Sequence, residues 1–129
     1  MNKILVEVSV GELLDKISIL EIKQEKIKDA ESLKFIIDEY NVLKSELDKN
    51  IKTDENLKNL FNSLKEINSK LWVIEDDKRM CEKNKDFGEK FIKLSRDVHF
   101  LNDNRAKIKL EINKLTGSKI KEIKEYTSY

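Results

Sequence analysis

Residues 57–74 read LKNLFNSLKEINSKLWVI. The apolar positions Leu57, Leu60, Leu64, Ile67, Leu71 and Ile74 advance by alternating steps of three and four. That is the spacing by which one helix packs its seam against another. Cys81 falls on the same ridge two heptads after Ile67 and reads as a small core residue. The polar run 48–54 precedes this helix, and Thr53 or Asp54 can cap it. Asn84 to Gly88 forms the next break, where Gly88 can take a positive φ without penalty. A matching ridge follows at Phe91, Leu94, Val98, Leu101, Arg105, Ile108, Ile112 and Leu115, interrupted only by Arg105. Gly117 closes it as a C-terminal stop. The two long helices, roughly 45 Å each at the α-helical rise, are joined by a short loop and so lie antiparallel.

Upstream, Ser9 and Glu12 fit a capping box that starts a helix. Its stripe is Val10, Leu13, Ile17, Leu20, Gln24 and Ile27, widened by Leu14, Ile19 and Ile22 so that it faces two neighbours. A second stripe, Leu33, Ile36, Tyr40, Leu43 and Leu47, is out of phase with the first. The phase break, with Asp29 and Ser32 nearby, predicts a turn at 28–32, although no Gly or Pro rules out one bent helix. Residues 3–8 alternate as a strand would, with Ile4, Val6 and Val8 on one face. A lone strand needs a partner, either its own copy across a two-fold axis or the helices. Ser118 to Tyr129 reads as a frayed tail or a short helix with Ile120 and Ile123 inward.

The expected fold is therefore all-α: four main helices in antiparallel hairpins, as a bundle or coiled coil, behind a short extended N-terminal segment. The expected organisation is a single helical domain over 1–129, with an arm at 1–8, a first hairpin at 9–50, a long hairpin at 54–117 and a tail at 118–129. Composition agrees. Pro is absent and Gly occurs three times, too few for the turns of a sandwich or barrel. The long hairpin outreaches the short one, so apolar seam is left exposed in a monomer, and such seams mark partner surfaces. A homodimer covers it.

The net charge is +1, which argues against nucleic acid, because phosphate contacts demand a basic excess. The basic stretch 105–125 reads first as a solvated helix face, with membrane or RNA contact as the lesser alternative. One cysteine allows neither an internal disulfide nor a cysteine-cluster metal site. No run is apolar enough to span a bilayer and no signal peptide is evident, so a cytoplasmic location is expected. Richness in Lys, Asn and Ile suits an AT-rich bacterial or phage genome.

No catalytic set, metal site or cofactor motif is legible, and a non-enzymatic role is favoured. The one dense polar cluster near a core stripe runs from Arg96 to Arg105. Arg96, His99 and Asp103 share a helix face, and His99 beside Asp103 has the pairing of a general base. Arg105 stands on an apolar ridge, where a charge is costly unless paired. The chain has only three arginines, and Arg offers a rigid fork that Lys lacks. Two readings follow. In the plainer and favoured one, Arg96 or Arg105 pairs with Asp76, Asp77 or Glu82 across the long hairpin and fixes register. In the sharper one, Arg79, Arg96, His99, Asp103 and Arg105 form an anion- or metabolite-binding site between the long helices. Glu21 and Glu25 have the spacing of a magnesium pair, but no facing carboxylates match them. Tyr40 and Trp72 read as core or rim, and Phe100, off the main ridge, as exposed.

Two stretches, Val6 to Lys23 and Leu71 to Asp77 with Asn102 to Lys109, resemble a family of small uncharacterised helical proteins of bacteria and phage. Some of that family are associated with surface-polysaccharide glycosyltransferases. The resemblance implies no established activity and supplies no catalytic residues; heptads without a catalytic set favour an assembly or accessory module, with a glycan-assembly enzyme as the partner suggested. A looser likeness to all-helical chorismate mutases fails on the first helix, since residues 9–29 contain no Arg.

Overall fold

The computed structural model describes residues 3–119, 123 and 126–129. The described residues form four α-helices and no strand: α1 (Val10–Lys26), α2 (Ala30–Asn50), α3 (Glu55–Lys83) and α4 (Glu89–Thr116). The helices start and stop where capping chemistry dictates. Ser9 Oγ accepts from the Glu12 amide at 3.0 Å. Asp29 accepts from the Ser32 amide at 2.9 Å, which makes 9–50 two helices and not one bent rod. Asp54, not Thr53, caps α3 through the Leu57 amide at 2.8 Å. Gly117 ends α4 at φ +67°, a conformation that costs glycine nothing.

Three expectations fail. The turn between α3 and α4 places its positive φ at Lys85, +53°, while Gly88 is at −84° and serves as the cap of α4. Residues 3–8 form no strand, and Ile4, Leu5 and Val6 are 73–93% exposed, so they pack on nothing. A single strand with no ladder has nothing to hold it. Ile123 is 80% exposed and does not turn inward, and Ile120 lies outside the described residues.

α1 is the centre of the bundle. It lies against α2, α3 and α4, α3 lies against α4, and α2 approaches only α1. The core gathers at that crossing: Leu14 and Ile17 of α1, Leu47 of α2, Leu57 and Leu64 of α3, and Ile112 of α4. Each such aliphatic side chain contributes roughly 1.5–3 kcal/mol on full burial. α3 has 29 residues and α1 only 17, so the loop end of the α3–α4 hairpin extends past α1. Cys81 is buried there at 3% exposure, as its ridge position predicts. Around it Val73, Met80, Phe87, Ile92 and Phe100 remain 41–55% exposed.

Candidate functional site

The most concentrated polar chemistry lies between α1 and α4, and it grows from two helical stripes. On α1, Gly11, Asp15, Ser18 and Ile22 follow at steps of four, three and four, and all are buried. On α4, Arg105, Lys109 and Asn113 follow at steps of four. Gly11 lets the two backbones approach, and its amide donates to Asn113 Oδ1 at 2.7 Å. One turn further, Asp15 is 1% exposed. Its carboxylate takes the Arg105 fork, with Nε to Oδ1 at 2.9 Å and Nη2 to Oδ2 at 2.5 Å. Asn68 of α3 donates to Asp15 Oδ1 at 2.9 Å and to Ser18 Oγ at 2.8 Å. Lys109 binds Glu12 at 2.7 Å and stands 3.9 Å from Asp15. Glu12 thus turns toward α4 and not back over its own helix end, so only half of the expected capping box forms.

Burial by itself pushes the Asp15 carboxyl up. The Arg105 and Asn68 hydrogen bonds, with the charges of Arg105 and Lys109, outweigh it and hold the group below its ordinary value. A carboxylate held ionised by a bidentate arginine and an amide makes a poor proton acceptor. The arrangement is chemically a lock between three helices. A second tie lies further along α1, where Lys65 of α3 reaches Glu21 at 3.1 Å and Glu25 at 2.9 Å. The Glu25 and Glu21 hydrogen bonds raise the Lys65 ammonium pKa against the pull of burial. The glutamate pair with magnesium spacing is therefore bridged by a lysine. Among the described residues no group of three or more metal-ligating side chains converges.

The sequence candidates distribute over three places. Arg105 pairs with Asp15 of α1, not with Asp76, Asp77 or Glu82 of α3 as the plainer reading held, because α1 crosses the hairpin where that ridge would have been apolar. Arg79 lines a cleft of about 410 Å³ together with Arg105, Asn68 and Trp72. Arg96 is exposed on α4 beside Ile92 and Phe100, and among the described residues it makes no ion pair. His99 packs against Phe100 and Tyr129, with ring centroids 4.5 and 5.2 Å away. Asp103 accepts the Tyr129 hydroxyl, whose pKa rises through that hydrogen bond. Arg79 and Arg105 thus share one surface, His99 and Asp103 meet the end of the tail, and Arg96 stands apart from the Arg79–Arg105 cleft. Asp15, Asn68 and Lys109 were missed as functional positions. The signal that finds them is the pair of complementary polar stripes, acidic and small on α1, basic on α4.

A family model described as a family of unknown function (DUF6165) matches residues 4–129. The chain belongs to that family. No curated protein and no solved structure matches the chain. Membership in DUF6165 covers the whole helical bundle, so both the α1–α4 lock and the loop end of the hairpin fall inside the matched span. No described helix is long and apolar enough to cross a membrane.

Proposed function

We propose that this DUF6165 chain is a non-enzymatic helical assembly module that homodimerises through the middle of its α3–α4 hairpin. The observation that carries the reading is an open apolar groove of about 650 Å³ between α3 and α4, lined by Val73, Ile74, Phe100 and Leu101. Exposed apolar surface of this kind on a long helical hairpin is covered by a partner. The rim supports a second copy as that partner. Glu66 and Lys70 edge the groove on α3, Asp97 edges it on α4, and Lys93 pairs with Asp97 at 2.8 Å. Lys70 likewise pairs with Glu66 at 3.6 Å, and a rim of both signs is compatible with a two-fold contact in which these pairs exchange partners between copies. The buried charge of Asp15 is engaged by Arg105 and Asn68, which agrees with a scaffold more than with a reaction centre. In this reading residues 1–129 act as one helical unit in the cytoplasm. The resemblance noted above makes a glycan-assembly enzyme the natural client of the dimer.

Size-exclusion chromatography with light scattering tests the proposal. The expected mass is twice the 15.2 kDa of one chain, falling to one chain in Phe100→Asp. Phe100 is 41% exposed and its ring also meets His99 and Tyr129, so the exchange costs about 1–2 kcal/mol of folding stability, and circular dichroism verifies that the fold survives it. A wild-type monomer at tens of micromolar, or a Phe100→Asp dimer, overturns the reading.

A further inference from the structure

One face of α3 carries a second surface that the dimer reading does not use. Asn68, Trp72, Glu75, Asp76 and Arg79 recur along α3 at near one-turn spacing and line the 410 Å³ cleft, with Ile19 and Ile22 of α1 as the opposite wall. The cleft is at the small end of the range for ligand sites. Its chemistry is graded. At the inner end Asn68 is 5% exposed and both hydrogen bonds of its Nδ2 are engaged, to Asp15 and Ser18. Among the described residues its amide oxygen has no donor. The middle is apolar, made by Leu71, Trp72 and the two isoleucines.

The outer end carries charge of both signs. Glu75 and Arg79 are four residues apart with the acid first, the favourable order for a helical ion pair. Among the described residues neither they nor Asp76 form an ion pair. Four residues is about 6 Å of axial rise, and a helical arginine leans back toward the preceding turn. The mouth of the apolar slot thus carries Arg79 and two carboxylates, all exposed, with Arg105, engaged by Asp15, beside them.

We infer that this cleft binds a free α-amino acid with a large apolar or aromatic side chain. Arg79 takes the carboxylate, Glu75 and Asp76 take the ammonium group, and the side chain enters between Trp72 and the isoleucines.

Trp72 is the sole tryptophan, so its emission reports on this cleft directly. L-phenylalanine is titrated into the full chain while Trp72 fluorescence is followed, with isothermal titration calorimetry in parallel. A saturable change is expected. N-acetyl-L-phenylalanine, which lacks the ammonium group, and phenethylamine, which lacks the carboxylate, should each bind roughly tenfold or more weakly. Arg79→Gln and the pair Glu75→Gln with Asp76→Asn should weaken L-phenylalanine by a similar factor, while Arg96→Gln leaves it unchanged. These exposed residues can be exchanged without loss of the fold, which circular dichroism verifies. Equal binding of the N-acetyl compound means a site for anions only and overturns the proposal, as does the absence of any response to L-phenylalanine. A shift of Trp72 emission with protein concentration alone makes the cleft an interface between copies, and equally overturns it.

Discussion

Asp15→Ala loses about 3–5 kcal/mol of folding stability, because it leaves the Arg105 guanidinium in the protein without its carboxylate. For a chain of this size that lowers the melting temperature by roughly 10–20 °C, measured by far-ultraviolet circular dichroism. Three features set the magnitude. Asp15 is 1% exposed, so water cannot replace the missing group. Arg105 binds it through two nitrogens, and Asn68 and Lys109 converge on the same carboxylate. Removal of one carboxylate therefore disturbs three helices together. The double variant Asp15→Leu with Arg105→Leu should recover most of the loss, since an apolar pair of similar volume often matches a buried ion pair. An Asp15→Ala protein within about 0.5 kcal/mol of wild type, the size of an ordinary surface exchange, refutes the lock.

The same group sets an acid limit. In the unfolded chain an aspartate titrates near pH 4, and in the folded protein the Asp15 carboxyl lies lower. The unfolded state binds the proton first, so the stabilisation is complete above about pH 4 and disappears as pH falls through the folded value. Melting temperatures recorded between about pH 6 and 2.5 should fall steeply below pH 4. The part of that slope due to Asp15 is absent in Asp15→Asn. An identical acid slope in the two proteins rules out Asp15 as its source.

The contrast between Asp54 and Arg105 marks how far the sequence is legible. Asp54, Ser9 and Gly117 act on amides and carbonyls within a turn of themselves, so their effect is local and the helix limits follow from residue type. The seam of α3 with α4 is nearly as local, since a short loop forces the two ridges together and buries Cys81 on schedule. Arg105 differs because its partner lies 90 residues away. A heptad ridge says that a helix has a neighbour, but not which one. The heptad ridge of α4, joined to that of α3 by a short loop, implies α3 as its neighbour, so the sequence alone points to α3 for the partner of Arg105. The widened stripe of α1 carried the missing information. Leu14, Ile19 and Ile22 announced more than one neighbour, and Asp15 with Ser18 sits among them at core positions. A carboxylate at a core position of one helix and an arginine on the apolar ridge of another are two halves of one observation.

The scattered candidates have the same cause. Arg79, Arg96 and Arg105 lie on two helices whose relative rotation is set by the apolar ridges. Only Arg79 and Arg105 are rotated toward α1, whereas Arg96 follows the face that carries Phe100. Arginine scarcity indicated geometry at each position but not a common destination. The hairpin end, by contrast, was legible, because Phe100 falls off the ridge and a 29-residue helix cannot be covered by one of 17.

Gly11→Val should lose about 3 kcal/mol and Gly11→Ala about 1–3 kcal/mol, against the gain of about 1 kcal/mol that helix propensity alone assigns to Gly→Ala. The sign reverses because of what stands opposite. A Cβ at Gly11 would lie 2.6 Å from the Lys109 carbonyl oxygen and 2.9 Å from Asn113 Oδ1. The asparagine is 2% exposed and hydrogen-bonded to the Gly11 amide, so it has nowhere to go. The carbonyl belongs to the last third of α4 and moves only with the helix. Relief comes by separating α1 from α4, and one turn along that contact sits the Asp15–Arg105 pair, whose 2.5 Å hydrogen bond does not survive separation. Gly88→Ala is the control, for its Cβ meets only Asp86 Oδ1 at 3.5 Å, and it should change stability by no more than about 0.5 kcal/mol. Gly11→Ala combined with Asn113→Ala removes the side-chain clash but not the backbone one, and should remain less stable than Asn113→Ala alone. A Gly11→Ala protein that melts at or above the wild-type temperature means the two helices are not in close contact, and the lock built on that contact fails with it.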